Sequence, residues 1–205
     1  MTDPMIIQIP SEIENVQLPT PELLTFYKDK EHRCLWIDDE INNLSLEICR
    51  LIIQWNREDE ILSISNRTPI KLFFFSPGGD LDVNYTIIDT IKMSKTPVYG
   101  INMGSCCSAA AYIYLACHKR FMLPHSYFLF HQGSSQMSGT YGEIVAAMEA
   151  YQSQVNELSS FMKERTNYTL DEITDNIVGE WYVRKDEAIE KGVCHQIVDD
   201  IAILL

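Results

Sequence analysis

The sequence predicts an α/β domain, on three observations. Apolar runs of strand length alternate with segments whose apolar residues recur at helical spacing; a Pro-Gly-Gly turn joins one of these strands to its helix; and 205 residues suffice for one well-filled core but not for two full domains. In chain order, Arg33-Cys34-Leu35-Trp36-Ile37 reads as a strand, and Ile41, Leu44, Ile48, Leu51, Ile52 and Trp55 follow at helical spacing up to the charged stretch 57–60. Ile70-Lys71-Leu72-Phe73-Phe74-Phe75 reads as a buried strand ending at Pro77-Gly78-Gly79, with a helix over 83–93 and a further strand over 97–102. Residues 108–117 are nearly all apolar and helix-prone, which sets Ser108 at the start of a buried helix. Short strands fit 120–123 and 127–130.

The most periodic stripe is Ile144, Met148, Tyr151, Val155, Leu158 and Met162, with offsets of 4, 3, 4, 3 and 4, and Thr140 with Glu143 forms a capping box at its start. A long amphipathic helix follows, whose stripe fits either packing on its own domain or pairing between subunits. Thr169 with Glu172 marks another helix, and 193–198 a final strand. Residues 1–30, with Pro10, Pro19 and Pro21 among short apolar clusters, read as an arm that needs a partner surface to become ordered, which leaves 31–205 as the main domain.

Composition removes several function classes. Lys and Arg number 16 against 29 Asp and Glu, and a net charge of −13 argues against a nucleic-acid backbone as partner, because phosphate binding rests on clustered cations. No stretch approaches the run of about 20 apolar residues that a membrane span needs. The six cysteines form no CxxC pair, and the N-terminus shows neither a basic segment ahead of a hydrophobic core nor the Arg-rich character of a transit peptide, so the expected location is a reducing cytoplasm. His32, His118, His125, His131 and His195 lack zincin spacing, and no Walker A loop is present, so neither a metal nor a nucleotide site is expected on the chain itself.

Chemistry concentrates in three segments. Met103-Gly104-Ser105-Cys106-Cys107-Ser108-Ala109 follows a tight turn at Gly104 and leads into a helix, a place where a strand-to-helix turn exposes a nucleophile near a positive helix end. Ser76-Pro77-Gly78-Gly79 puts pliant backbone at the end of a strand, where N–H groups can face a ligand. His131 ends the apolar strand Tyr127-Phe128-Leu129-Phe130 and opens a loop, a suitable position for a general base. Each has a plain structural reading taken singly: an N-cap serine, a turn, a hydrogen-bonded histidine.

Together the three segments resemble the proteolytic subunit of the Clp protease family, whose members carry a Ser-Pro-Gly-Gly turn, a Met-Gly-x-Ala-Ala-Ser nucleophile segment and a His-Gln base segment. The likeness runs from about residue 30 to 199 and includes Arg120-Phe121-Met122-Leu123-Pro124-His125-Ser126. It implies a ClpP/crotonase-like spiral of strand-strand-helix repeats, with a protruding strand-helix handle at about 133–165 through which two rings meet. It also implies Ser108 as nucleophile, His131 as general base, and the backbone N–H groups of Gly79 and Ala109 as an oxyanion hole. The family's catalytic Asp falls on Glu180, one methylene longer, with Asp175 and Asp171 as substitutes; the plain reading of Glu180 is an exposed acid ahead of Trp181. Cys106 and Cys107 replace two small residues, Ala110 a usual Gly, Gly133 a usual Pro and Phe75 a frequent Asn. Gly179 stands where many members have an Arg that links assembly to the active site.

The resemblance thus implies a serine endopeptidase built as a homo-oligomer, with stacked heptameric rings enclosing a chamber. It would cut peptides alone, and unfolded proteins when an AAA+ Clp ATPase feeds them in, with ATP bound only by that partner. A second reading is an inactive structural or regulatory subunit of mixed rings, motivated by Glu180 and Gly179. A third is a crotonase-like acyl-CoA enzyme, which a serine and a histidine both in place disfavour. Cys106 or Cys107 is the rival nucleophile.

Overall fold

In the computed structural model, which describes residues 21–204, the chain divides into a short unit ending at His32 and a main unit from Arg33. The arm expected over 1–30 lies outside the described residues up to position 20; beyond it α1, Pro21–Glu31, is helical.

The main unit runs β1 (Cys34–Ile37), α2 (Glu47–Glu58), β2 (Ile70–Ser76), α3 (Leu81–Met93), β3 (Val98–Cys107), α4 (Ala109–Ala116), β4 (Lys119–Met122), β5 (Tyr127–Phe130), α5 (Tyr141–Arg165), α6 (Leu170–Asn176), β6 (Trp181–Arg184), α7 (Lys185–Glu190) and β7 (Gln196–Ile197). The sheet has the order β1-β2-β3-β4-β7, all parallel. Parallel neighbours cannot be joined by a hairpin, so α2, α3 and α4 cross between successive strands. β3 is a fork: residues 99–102 carry β4, and residues 105–107 carry β5, whose other edge takes β6 antiparallel.

Two sequence expectations shift here for local reasons. The helix expected from Ile41 begins at Glu47, because Asn42 accepts a bond from the Leu44 N–H at 2.8 Å and caps a 3₁₀ turn, while Ile41 forms a parallel bridge with Gly79. The tight turn expected at Gly104 lies inside β3. Phe74 faces Asn102 but Ser76 faces Cys106, so β3 holds two extra residues there, absorbed as a bulge. Gly104 fills it against the Phe75 ring, 2.7 Å from where a Cβ would stand. Asn102 bridges the fork, accepting from the Gly104 N–H at 3.0 Å and donating to the Tyr127 carbonyl at 2.9 Å.

Strand alternation sends Ile70, Leu72 and Phe74 into the main core with α3 and α4, and Phe73 to the opposite face, where Trp36 stacks on it at 4.7 Å beside Ile101, Val198 and Leu204. Every residue of α4 is buried, which is why its sequence is apolar all round rather than striped. Its C-terminal end is held by two arginines: Arg120 donates to the Leu115, Arg165 and Gly192 carbonyls at 3.2, 2.9 and 3.0 Å, and Arg165 to Leu115 and Cys117 at 2.8 and 3.0 Å. These bonds satisfy carbonyls a helix end leaves open.

The capping box of α5 forms as expected, Glu143 accepting from the Thr140 N–H at 2.7 Å. The stripe divides along the helix. Val155, Leu158 and Met162 are buried in the main core, whereas Met148 is 61% exposed. Residues 131–139, ahead of the helix, pair with no strand of the described residues, because the β5–β6 ladder stops at Phe130 and Trp181. The final strand expected over 193–198 is reduced to Gln196–Ile197, with Val193 and Cys194 buried ahead of it.

Candidate active site

Ser108 joins β3 to α4 with φ 51° and ψ −127°, a left-handed backbone that L-residues rarely adopt and that costs about 1–3 kcal/mol. This is the backbone of a nucleophile elbow, reached without the G-x-S-x-G consensus. The surroundings over-determine it. The Ser108 N–H donates to Leu129 O of β5 at 2.7 Å, and its carbonyl accepts from Ala111 at 2.9 Å. Gly78 (φ 102°) lies so close that a Cβ there would stand 2.6 Å from the Ser108 Cβ, so only glycine lets the two turns meet.

The Gly78-Gly79 turn is itself clamped. Ser76 Oγ donates to Asp39 O at 2.6 Å, Ile41 N–H to Gly78 O at 2.7 Å, and Asp80 N–H to Ile41 O at 2.9 Å. The Asp80 carboxylate caps α3 through the Asp82 and Val83 N–H groups at 2.8 and 2.9 Å. Among the N–H groups with no hydrogen-bond acceptor in the described residues are those of Gly79, flanked by bonded neighbours, and Ala109, first residue of α4. Both residues line one cleft with Ser108 and His131. Its volume is about 320 Å³.

His131 follows β5 and places Nε2 2.7 Å from Ser108 Oγ. The segment after it forms one wall of the cleft, held by Gln132 N–H on the Ile177 carbonyl at 2.8 Å and by the Tyr151 hydroxyl on the Gln132 carbonyl at 2.7 Å. Glu40 reaches the same cleft from the loop after β1. The flanking thiols are poor nucleophiles: burial pushes Cys106 well above the ordinary thiol range, and burial with the Glu180 charge as a lesser contributor raises Cys107.

Glu180 is brought alongside but not into the pair. Phe130 faces Trp181 in the last pair of the β5–β6 ladder, and His131 and Glu180 are each the next residue beyond it. Its carboxylate accepts from the Tyr182 hydroxyl at 2.8 Å, and no hydrogen bond joins it to His131 among the described residues. Asp171 and Asp175 are exposed on α6 and make no hydrogen bond to His131. The sequence marks Gly78 as part of the Ser-Pro-Gly-Gly turn and Tyr151 as part of the α5 stripe, without giving either its place at the cleft; Glu40 and Tyr182 stand in no motif, and the one signal for Tyr182 is its spacing of two residues from Glu180.

Among the described residues no cluster of His, Cys, Asp and Glu could hold a metal ion, and no helix is long and apolar enough to cross a membrane.

The family model described as Clp protease matches residues 48–201. The ATP-dependent Clp protease proteolytic subunit 2 of Treponema pallidum is 31% identical over 185 residues, covering 89% of this chain and 90% of that protein. The protein of the same description from Treponema denticola is 32% identical over 137 residues, 66% of this chain and 68% of its own. A solved structure of a ClpP1 mutant from Listeria monocytogenes superposes with a TM-score of 0.75 at 26% identity, covering 88% of this chain and 99% of the other. The chain belongs to the Clp protease family, and its α/β sheet is the ClpP/crotonase-like fold.

Proposed function

We propose that this chain is a serine endopeptidase, with Ser108 as nucleophile and His131 as general base. The observation that carries the reading is the 2.7 Å contact between Ser108 Oγ and His131 Nε2, made at a residue held in a left-handed backbone. As Oγ bonds to a peptide carbonyl carbon, its proton passes to Nε2. The carbonyl oxygen takes up the negative charge, and the Gly79 and Ala109 N–H groups stabilise it. His131 then returns the proton to the leaving amine, and water, deprotonated by the same nitrogen, releases the acyl group. The role of Glu180 is to accept from Nδ1–H and steady the imidazolium.

The exposed half of the long helix and the names of the relatives, which are subunits, support a homo-oligomer; the reading extends to stacked heptameric rings loaded by an AAA+ Clp ATPase, which alone would bind ATP. Peptides and unfolded proteins are the substrates, and a reducing cytoplasm suits the thiols of Cys49, Cys106, Cys107, Cys117 and Cys194. One observation favours the second reading, an inactive subunit of mixed rings: Glu180 bonds Tyr182 rather than His131. Fluorophosphonate labelling decides between them. Labelling of Ser108 that is lost in His131→Ala supports hydrolysis, and a well-folded, unlabelled oligomer supports the scaffold.

A further inference from the structure

The Glu180 carboxylate is engaged away from His131, and the group that engages it is a single hydroxyl. Glu180 precedes β6 directly, as His131 follows β5 directly, and both adjoin the last ladder pair, Phe130 with Trp181; the Tyr182 hydroxyl, two residues on, donates to Glu180 Oε2 at 2.8 Å. Tyr182 is 47% exposed and its ring rests against Tyr127 at 5.8 Å, so the bond competes with water and can be exchanged at small cost. The link leading to Glu180 is lightly packed: Val178 is 72% exposed, and a Cβ on Gly179 would touch nothing. Trp181, in contrast, is pinned between Phe130 and Tyr168 at 5.8 and 4.6 Å, which anchors the residue next to Glu180 beside the one that precedes His131.

We propose that Tyr182 is a positioning residue that holds Glu180 in a resting orientation, and that hydrolysis proceeds from the minority orientation in which Glu180 has exchanged the Tyr182 hydroxyl for His131 Nδ1–H. This inference rests on the serine-endopeptidase reading. No covalent bond changes in the exchange. It sets only the fraction of molecules whose imidazole is steadied when Ser108 attacks, so it acts on kcat and leaves substrate contacts alone.

The test is steady-state hydrolysis of a short fluorogenic peptide by the full chain, with fluorophosphonate labelling of Ser108 in parallel. Tyr182→Phe removes the hydroxyl and keeps the ring; it is expected to raise kcat and the labelling rate about three- to tenfold at unchanged KM. Glu180→Gln should lower kcat at least about tenfold, and in the double variant Tyr182→Phe should add nothing to it. A fall in kcat for Tyr182→Phe would mean that the hydroxyl supports the acid rather than withholding it, and overturns the proposal. A gain that persists in the Glu180→Gln background overturns it as well, since the effect then bypasses Glu180. A folded chain unlabelled at Ser108 in every variant overturns the endopeptidase reading itself, and this inference with it.

Discussion

The ground around Ser108 and the rim around Glu180 are built to different tolerances. Ser108 is fixed by β5 behind it, the Gly78 turn beside it and a helix whose every residue is buried. Glu180 immediately precedes a four-residue edge strand and follows an exposed Val178-Gly179 link, and its side chain answers to one exposed hydroxyl. The same division runs along α5, with Val155, Leu158 and Met162 in the core and Met148 facing outward. The geometry of Ser108 is therefore a property of the single folded chain. Glu180 and the first half of α5 are the parts that the described residues hold least firmly.

The largest expected effect lies in the inner region. Ser108→Ala should lower peptide hydrolysis at least about 10⁴-fold with little change in stability. Ser108→Gly should be equally inactive yet about 1 kcal/mol more stable to urea, because glycine adopts φ 51° without strain. A serine variant that keeps activity, or a glycine variant that gains no stability, would break the contrast at its firmest point.

Gly78→Ala comes next. Its Cβ would collide with Ser108 and its φ of 102° is hostile to alanine, so a loss of about 2–3 kcal/mol is expected by urea denaturation. The activity of the molecules that remain folded should fall on the order of 100-fold through displacement of Oγ.

The helix α5 lets the two regions be compared on one element. Val155→Lys buries a charge and should cost about 3 kcal/mol or more. Met148→Glu, 61% exposed in the single chain, should change stability by no more than about 0.5 kcal/mol while shifting the sedimenting species to smaller size. A Met148→Glu particle of unchanged size would show that the outward half of α5 is not an assembly surface.

The smallest effect is a pH dependence. Burial, with Arg120, Arg165 and Lys119 nearby, holds His195 down to about 4. Unfolded, it takes a proton near pH 6.5, so between those values the unfolded chain binds a proton that the folded chain refuses, and stability falls as pH drops from about 6.5 to about 4. His195 is exposed as a residue although its ring accepts from Arg120 at 3.1 and 3.3 Å, so solvent screening should keep the change well below the full linkage of about 1.4 kcal/mol per unit. His195→Gln should flatten the urea midpoint across that window; an unchanged slope would assign the acid sensitivity elsewhere.

What could be read in the sequence follows the same line between local and assembled features. Both capping boxes, the bounds of β5 and the buried helix after Ser108 are written in neighbouring residues, and the structure keeps them. Ile41 has helical spacing, but a partner 38 positions away, Gly79, draws it into a bridge. The strain at Ser108 has no local signature, because it depends on Gly78 fitting against it from another turn. β6 and α7, four and six residues long, are too short to show a period, and the bond between Tyr182 and Glu180 belongs to side-chain orientation on a strand edge that no motif marks.

The left-handed backbone at Ser108 carries a consequence for descent. On the proposed function, folding and chemistry make opposite demands at this position, since glycine would relax the turn but carries no group that can attack a carbonyl. In a lineage released from hydrolysis, drift would favour glycine there, while the surrounding core, valued for assembly alone, would be retained. Position 108 is therefore where loss of catalytic selection would register early, ahead of any change in the fold that carries it.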